Sequence, residues 1–331
     1  MDKIIGMGNA LVDALVHIED DGMLAAMNLP KGSMQLIDEK RYGKVSESMR
    51  VLNPSRALGG SASNAMLALA HLGRNPGFIG KVGDDENGCF YSGAMTDVGV
   101  SVCLRHAAMP TGVASTFITP DGQRTFGTFL GAAASLEPED LDEEMMRGYE
   151  YLYLEGYLVQ NHALMNRAVE IAKKLGIKVC LDMASYNIVE ADREYFTKLV
   201  DESVDIVFAN EEESRAFTGL EPEKSLEKIA SMCDTVVVKL GARGSIARSN
   251  TAPGGFASCD AGKVEKVVDT TAAGDFFTAG FMYAFTAGSP LEVCLKAGTL
   301  LSTAVIQITG TTLAENTWEK IRANIETLCK A

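Results

Sequence analysis

Short apolar or β-branched runs alternate with amphipathic stretches along most of this chain. Such a rhythm is expected of βα units that build a mainly parallel sheet: continuous apolar runs for buried strands, a 3.6-residue period for the helices between them. It predicts strands at Lys3–Met7, Gly77–Val82, Tyr151–Glu155, Lys178–Asp182, Asp205–Ala209 and Thr235–Lys239. Helices are predicted between them at Ser61–Leu72, His162–Leu175, Arg193–Val200 and Leu226–Ser231. Further on the pattern changes, and Asp275–Ala287, Leu291–Ile308 and Glu315–Cys329 read as successive helices. The expected fold class is α/β, one doubly wound and mainly parallel sheet flanked by helices, in a single domain over residues 1–331.

Two stretches break this rhythm. Leu11–Ile18 and Gly32–Asp38 alternate weakly as strands, and Gly112–Ile118 with Arg124–Leu130 reads as a hairpin around the turn sequence Thr119-Pro120-Asp121-Gly122. They predict a small β-sheet lid made of insertions at about 11–52 and 102–132, and lids exclude water from a reacting site.

Composition narrows the function. Thirty Lys plus Arg stand against 44 Asp plus Glu, a net charge of −14, which argues against gripping a nucleic-acid backbone by counterion release. A local basic pocket for one small phosphorylated molecule is compatible with that balance. The first residues lack the basic start and apolar stretch of a secretory signal, and every apolar run is interrupted well before 18 residues, so a soluble cytoplasmic protein without membrane contact is expected. Seven scattered cysteines without a C-x-x-C pair or companion histidines read as reduced thiols, mostly core filler. The four histidines show no metal or triad spacing.

The candidate chemistry sits in a few strings. Val267-Val268-Asp269-Thr270-Thr271-Ala272-Ala273-Gly274-Asp275 reads as a strand that runs through small residues into a helix. Small residues before a helix leave backbone N–H groups bare at the positive end of the macrodipole, an anion site, with Asp275 poised in the first turn; an N-capping Asp beside close packing has the same local pattern. Leu58-Gly59-Gly60-Ser61-Ala62-Ser63-Asn64 pairs glycines that let backbone approach a ligand with an Asn that can both donate and accept; alone it is also a plain loop and cap. Gly6-x-Gly8-Asn9 with Asp13 follows the first strand but fails as a dinucleotide fingerprint because Leu11 stands where the third Gly is needed. Asn210-Glu211-Glu212-Glu213 ends a strand, where ligands sit in open α/β sheets, and a charged helix start explains it equally well. No Walker A loop is present.

Together these strings resemble the PfkB family of carbohydrate and nucleoside kinases, with its ribokinase-like fold, and lie closest to adenosine-kinase-like members. Six of the seven positions of Asp269–Asp275 satisfy the family's D-T-x-G-A-G-D signature; Ala272 stands where the family has Gly, and its Cβ is expected to crowd the nucleotide or to oppose a positive φ. The resemblance implies that Asp275 is the general base and that the amides of Ala272, Ala273 and Gly274 form the anion hole. Gly59, Gly60 and Asn64 match G-G-x-x-x-N, and Asn9 with Asp13 matches G-N-x-x-x-D; by that resemblance they hold the acceptor, joined by a lid arginine, Arg124. Asn210 and Glu213 match N-x-x-E, which organises Mg²⁺ through water, and Lys239, Gly241 and Gly244 match the K-x-G-x-x-G loop along the nucleotide. Gly310, with Gly298, Thr303 and Ile306, falls in the segment that lines the adenine pocket, and Asp269 and Thr271 match residues around a monovalent cation, K⁺. Phe126 and Phe129 are candidate base-stacking aromatics or hairpin core. The implied activity is transfer of the γ-phosphate of ATP to a primary hydroxyl of a ribose-containing acceptor, adenosine ahead of a free sugar of ribose or fructose type; Ala272 leaves a binding homologue of weak catalysis as the alternative. A homodimer paired through the lid's sheet edge is a further expectation.

Overall fold

In the computed structural model, which describes residues 3–121, 123–251 and 255–330, the apolar runs assemble into a nine-stranded and a five-stranded sheet. The large sheet contains β1 (Ile4–Met7), β5 (Gly77–Gly83), β6 (Ser101–Ala107), β9 (Tyr151–Glu155), β10 (Lys178–Asp182), β11 (Ile206–Asn210), β12 (Thr235–Lys239), β13 (Ser245–Ser249) and β14 (Phe256–Cys259), in the order β14-β13-β12-β11-β10-β9-β1-β5-β6. All pairs are parallel except β12–β13 and β13–β14. Successive residues serve opposite faces, Ile4 on one and Ile5 and Met7 on the other, Val237 on one and Val236 and Val238 on the other. Helices Ser61–His71, Ala273–Phe285 and Leu291–Val305 cover the first face; His162–Leu175, Arg193–Ser203 and Pro222–Ala230 cover the second. Burial on both faces is why these strands read as unbroken apolar runs.

The chain winds outward from β1 in both directions, through β5 and β6 on one side and through β9 to β12 on the other. Strand order therefore reverses between β1 and β9, and the loops leaving these two strands part there to open a crevice at their carboxyl ends. The small sheet stands next to that crevice: β2 (Leu11–His17), β3 (Met34–Leu36), β4 (Ser55–Gly59), β7 (Gly112–Ile118) and β8 (Arg124–Phe129), ordered β3-β8-β7-β2-β4. β2 follows β1 after three residues, and β4 runs directly into Gly60 and the helix Ser61–His71. The helix Glu39–Arg50 covers this sheet with Val45 and Met49, and Tyr42 stacks on Phe129 at 4.6 Å.

Three expectations change. Residues 102–107 belong to β6, which pairs in parallel with β5 in the large sheet and not in the lid, and the small sheet gains β4 beyond residue 52. Val267 and Val268 form no strand; they lie in an extended loop with 52% and 47% of their surfaces exposed, so nothing selects the pairing that their β-branching favours. Gly122 of the expected turn lies outside the described residues. Among the described residues no helix is long and apolar enough to cross a membrane, and all seven cysteines are free thiols.

Candidate active site

Four neighbouring strands end in polar residues: β9 in Glu155, β10 in Asp182, β11 in Asn210 and β12 in Lys239. A strand covered on both faces tolerates a charge only where it leaves the sheet, and the parallel register gathers these ends beside the crevice. Asp182 lies opposite Glu155, and Asn210 opposite Lys239. Lys239 Nζ donates to Asp182 Oδ2 at 3.0 Å with both side chains largely buried. Burial alone would pull the Lys239 ammonium down, but the charges of Asp182 and Glu213, with Asp275 behind them, outweigh it and hold the group charged. Glu155 accepts from Asn9 Nδ2 at 2.7 Å and from Ala62 N at 3.0 Å, bonds that oppose the upward push of its burial.

Asn210 and Glu213 form a capping box at the start of the helix Glu211–Thr218. Glu213 N donates to Asn210 Oδ1 at 2.9 Å, while Asn210 N and Nδ2 donate to the two Glu213 carboxylate oxygens, each at 2.7 Å. Burial pushes the Glu213 carboxyl up to about 7 against the pull of Lys239. Among the described residues no three acidic, histidine or cysteine side chains meet as a metal cage.

Helix Ala273–Phe285 opens on Ala272, whose φ of 59° and ψ of 8° are left-handed. The positive φ that a Cβ was expected to oppose is therefore adopted. Left-handed backbone costs a non-glycine residue about 1–2 kcal/mol, while Gly would add about 0.4–1 kcal/mol of unfolded-state entropy. Ala272→Gly is thus expected to stabilise the fold by between about 0 and 1.6 kcal/mol, read as a small rise in the denaturant midpoint. Of the three expected anion-hole amides, that of Ala273 is turned onto Thr270 O at 3.2 Å; those of Ala272 and Gly274 make no such bond among the described residues. Lys239 Nζ would lie 3.1 Å from a Cβ placed on Gly274, so the ammonium borders this loop.

Asp275 projects from the first turn. Its Oδ1 accepts from Ser61 Oγ at 2.6 Å and its Oδ2 from Asn64 Nδ2 at 2.9 Å. Burial pushes its carboxyl up to about 7, opposed by those two bonds and by Lys239 and reinforced by Asp182. Asn64 Oδ1 is buried without a partner. Asp13 on β2 is also pushed up to about 7 by burial, against the pull of Arg124. The paired glycines are steric necessities here: a side chain on Gly59 would strike the Asp13 carboxylate, and one on Gly60, at φ 93°, would strike the carbonyl oxygen of Asn9.

Arg124 reaches from β8 to the other end of the anion loop, where its Nη1 lies 2.7 Å from Asp269 Oδ2 and 3.4 Å from Thr271 Oγ1. Gly310, expected at the nucleotide's base, donates its amide to Asp269 Oδ2 at 2.8 Å. Phe129 is turned into the contact with Tyr42 and is hairpin core.

Two cavities complete the arrangement. One, of about 590 Å³, opens beneath the small sheet; Asn9, Gly60, Ser61 and Glu155 form a polar end, and Leu11, Leu36, Leu130, Leu136, Leu158 and Ile188 are among its apolar walls. The other, of about 470 Å³, is lined by Cys259, Gly262, Lys263, Lys296, Thr299 and Thr303. The turn at Gly244 packs on Cys259–Ala261, so the Gly241–Gly244 segment borders this second cavity.

Ser61, Glu155 and Asp182 carry no assigned role in the sequence reading. An acidic residue that ends an otherwise apolar strand is the signal that marks Glu155 and Asp182; Ser61 has none beyond its place in the Gly-Gly-Ser loop.

The pfkB family carbohydrate kinase pattern matches residues 32–318. An adenosine kinase from Sinorhizobium meliloti is 31% identical and superposes with a TM-score of 0.85 over 98% of this chain and 99% of that one. A probable sugar kinase from Rhizobium etli is 30% identical, with the same TM-score and coverage. A 5-dehydro-2-deoxygluconokinase of Bacillus subtilis is 30% identical over 287 residues, 82% of this chain and 87% of that protein. The two-sheet fold is thus one shared with kinases, and the chain belongs to the pfkB family of carbohydrate kinases.

Proposed function

We propose that this kinase transfers the γ-phosphate of ATP to the primary hydroxyl of a nucleoside such as adenosine. The observation that carries this is the first cavity. Asn9, Gly60 and Ser61 give it a hydrogen-bonding group beside Asp275, leucines and Ile188 give it aliphatic walls, and Glu137, Gln160, Asn161, Ser185 and Asn187 add further polar groups to its lining. A ribose joined to a flat base suits this mixed lining, with hydroxyls beside Asp275, ring faces on the aliphatic walls and ring nitrogens for the further polar groups; a free sugar carries hydroxyls around its whole ring and would set some of them against hydrocarbon.

The roles follow from position. Asn9, Asp13, Gly60 and Asn64 hold the ribose, with the unpartnered Asn64 Oδ1 free to accept from a sugar hydroxyl. Asp275, with its carboxyl near 7, takes the proton from the primary hydroxyl as it attacks in line. The adenine of ATP occupies the second cavity, its phosphates run along Gly241–Gly244, and the amides of Ala272 and Gly274 with the Lys239 ammonium stabilise the transferring group. Each Glu213 oxygen keeps a lone pair beyond its bond to Asn210, which suits Mg²⁺ held through its own waters; the ion would supply charge neutralisation of the phosphates. Phosphoryl transfer asks little covalent chemistry of the protein, so positioning and charge do most of the catalysis.

Leu36 tests the aliphatic wall, because it lines the cavity from an edge strand with 54% of its surface exposed. Leu36→Ala removes about 1–2 kcal/mol of apolar contact and is expected to raise KM for adenosine about tenfold with little change in kcat. The direct comparison is kcat/KM for adenosine, inosine, ribose, fructose and 5-dehydro-2-deoxygluconate, the last because of the relatives' names. Preference for a nucleoside supports the proposal; preference for a free sugar or the sugar acid keeps the mechanism and replaces the acceptor.

A further inference from the structure

Asp269 opens the anion loop with every acceptor direction of its carboxylate filled. Oδ1 accepts from Thr271 N at 3.0 Å and Thr271 Oγ1 at 2.7 Å; Oδ2 accepts from Gly310 N at 2.8 Å and faces Arg124 Nη1 at 2.7 Å. A carboxylate offers about four lone-pair directions, so none remains for another ligand. The ion pair is largely shielded from solvent, with side-chain exposures of 15% for Arg124 and 4% for Asp269. The resemblance placed a monovalent cation at Asp269 and Thr271. The donor set does not fit one: the position beside Oδ2 already holds a guanidinium, and a second cation there would meet a like charge at short range in a poorly screened place.

We propose that Arg124 is a built-in counter-cation for Asp269, its guanidinium taking the place of potassium beside the anion loop, so that docking of the β7–β8 hairpin sets the loop and an external cation does not. Arg124 sits on the lid strand and Asp269 three residues before Ala272. The pair therefore couples the roof of the acceptor cavity to the loop that carries the free amides. An ordered lid and an ordered anion loop become one event, and the charge that stabilises the loop arrives from within the chain.

The proposal builds on the kinase reading only for its turnover arm. Its other readouts are the thermal midpoint and amide hydrogen exchange of residues 269–274, measured in KCl and in tetramethylammonium chloride at equal ionic strength. The wild-type protein is expected to show the same midpoint, the same loop exchange and the same turnover in both salts. Arg124→Met vacates the site; its loop amides should exchange at least about tenfold faster in tetramethylammonium, and KCl should restore slow exchange. Asp269→Asn removes the carboxylate charge for either cation, and its β7–β8 amides should exchange faster in both salts, which serves if Arg124→Met folds poorly. A potassium-specific rise in the wild-type midpoint would overturn the proposal, as would loop exchange in Arg124→Met equal to wild type. A wild-type protein that turns over no acceptor would count against the proposed function alone, since midpoint and exchange still decide the role of Arg124.

Discussion

Asp275→Asn is expected to lower turnover by about 10²–10⁴-fold and, above pH 7, to make the folded protein more stable. The rate falls because an amide cannot take the proton of the attacking hydroxyl. The stability rises because the folded protein holds this carboxyl near 7 while the usual value is 3.8. Between those values the folded state binds a proton that the unfolded state has released, so the group's contribution weakens as pH rises from about 4 and is a full cost above 7. Solvent still reaches part of the carboxylate, and after that allowance the gain from removing its charge is on the order of 2 kcal/mol at pH 8, vanishing near pH 4. The neighbours can accept the change: Ser61 still donates to Oδ1, and Asn64 can turn its unpartnered Oδ1 toward the new amide. Thermal midpoints at pH 8 and pH 4 read the effect, and a loss of stability at both pH values would contradict it. In the wild-type enzyme kcat/KM should fall on the acid side of about pH 7, with a slope between one and two because Asp13, also near 7, must be ionised to hold hydroxyls.

The second large effect is at Lys239. Lys239→Met removes the cation that faces Asp182 and Glu213 and borders the anion loop. Breaking a buried pair by deleting one partner costs about 3–5 kcal/mol, since the other charge is left behind. The loss of a charge-stabilising donor lowers kcat by about 10²–10³. The two losses separate in the double variant Lys239→Met/Asp182→Asn, which should recover much of the midpoint and none of the rate. A double variant that recovers rate as well would remove Lys239 from phosphate stabilisation.

The fold was legible in the sequence wherever burial dictated it. β1, β5 and β9 to β12 lie inside the sheet under helices on both faces, so each reads as an apolar run bounded by polar residues. β6 is an edge strand with a mixed Ser-Val-Cys-Leu-Arg-His-Ala sequence and half-exposed residues, and an edge strand carries no such signal. Val267-Val268 shows the converse, a β-branched pair with no partner strand to use it. Asp275, Gly59 and Gly60 could be singled out because each stands in a short string that resembles a family signature, although locally the same strings also read as a helix cap and a plain loop. The contacts that tune the site could not: Ser61 with Asp275, Asp182 with Lys239 and Arg124 with Asp269 join segments distant in sequence. Those pairings depend on strand order and on how the small sheet docks, which no single stretch encodes.

Phosphorus NMR of the products from Mg·ATP and adenosine tests the central claim most directly, because it reports both the transfer and the hydroxyl that receives it. ADP and adenosine 5′-monophosphate in equal amounts, absent with Asp275→Asn, is the predicted result. ADP with inorganic phosphate in place of a nucleoside monophosphate, or a monophosphate formed equally well by Asp275→Asn, would contradict it.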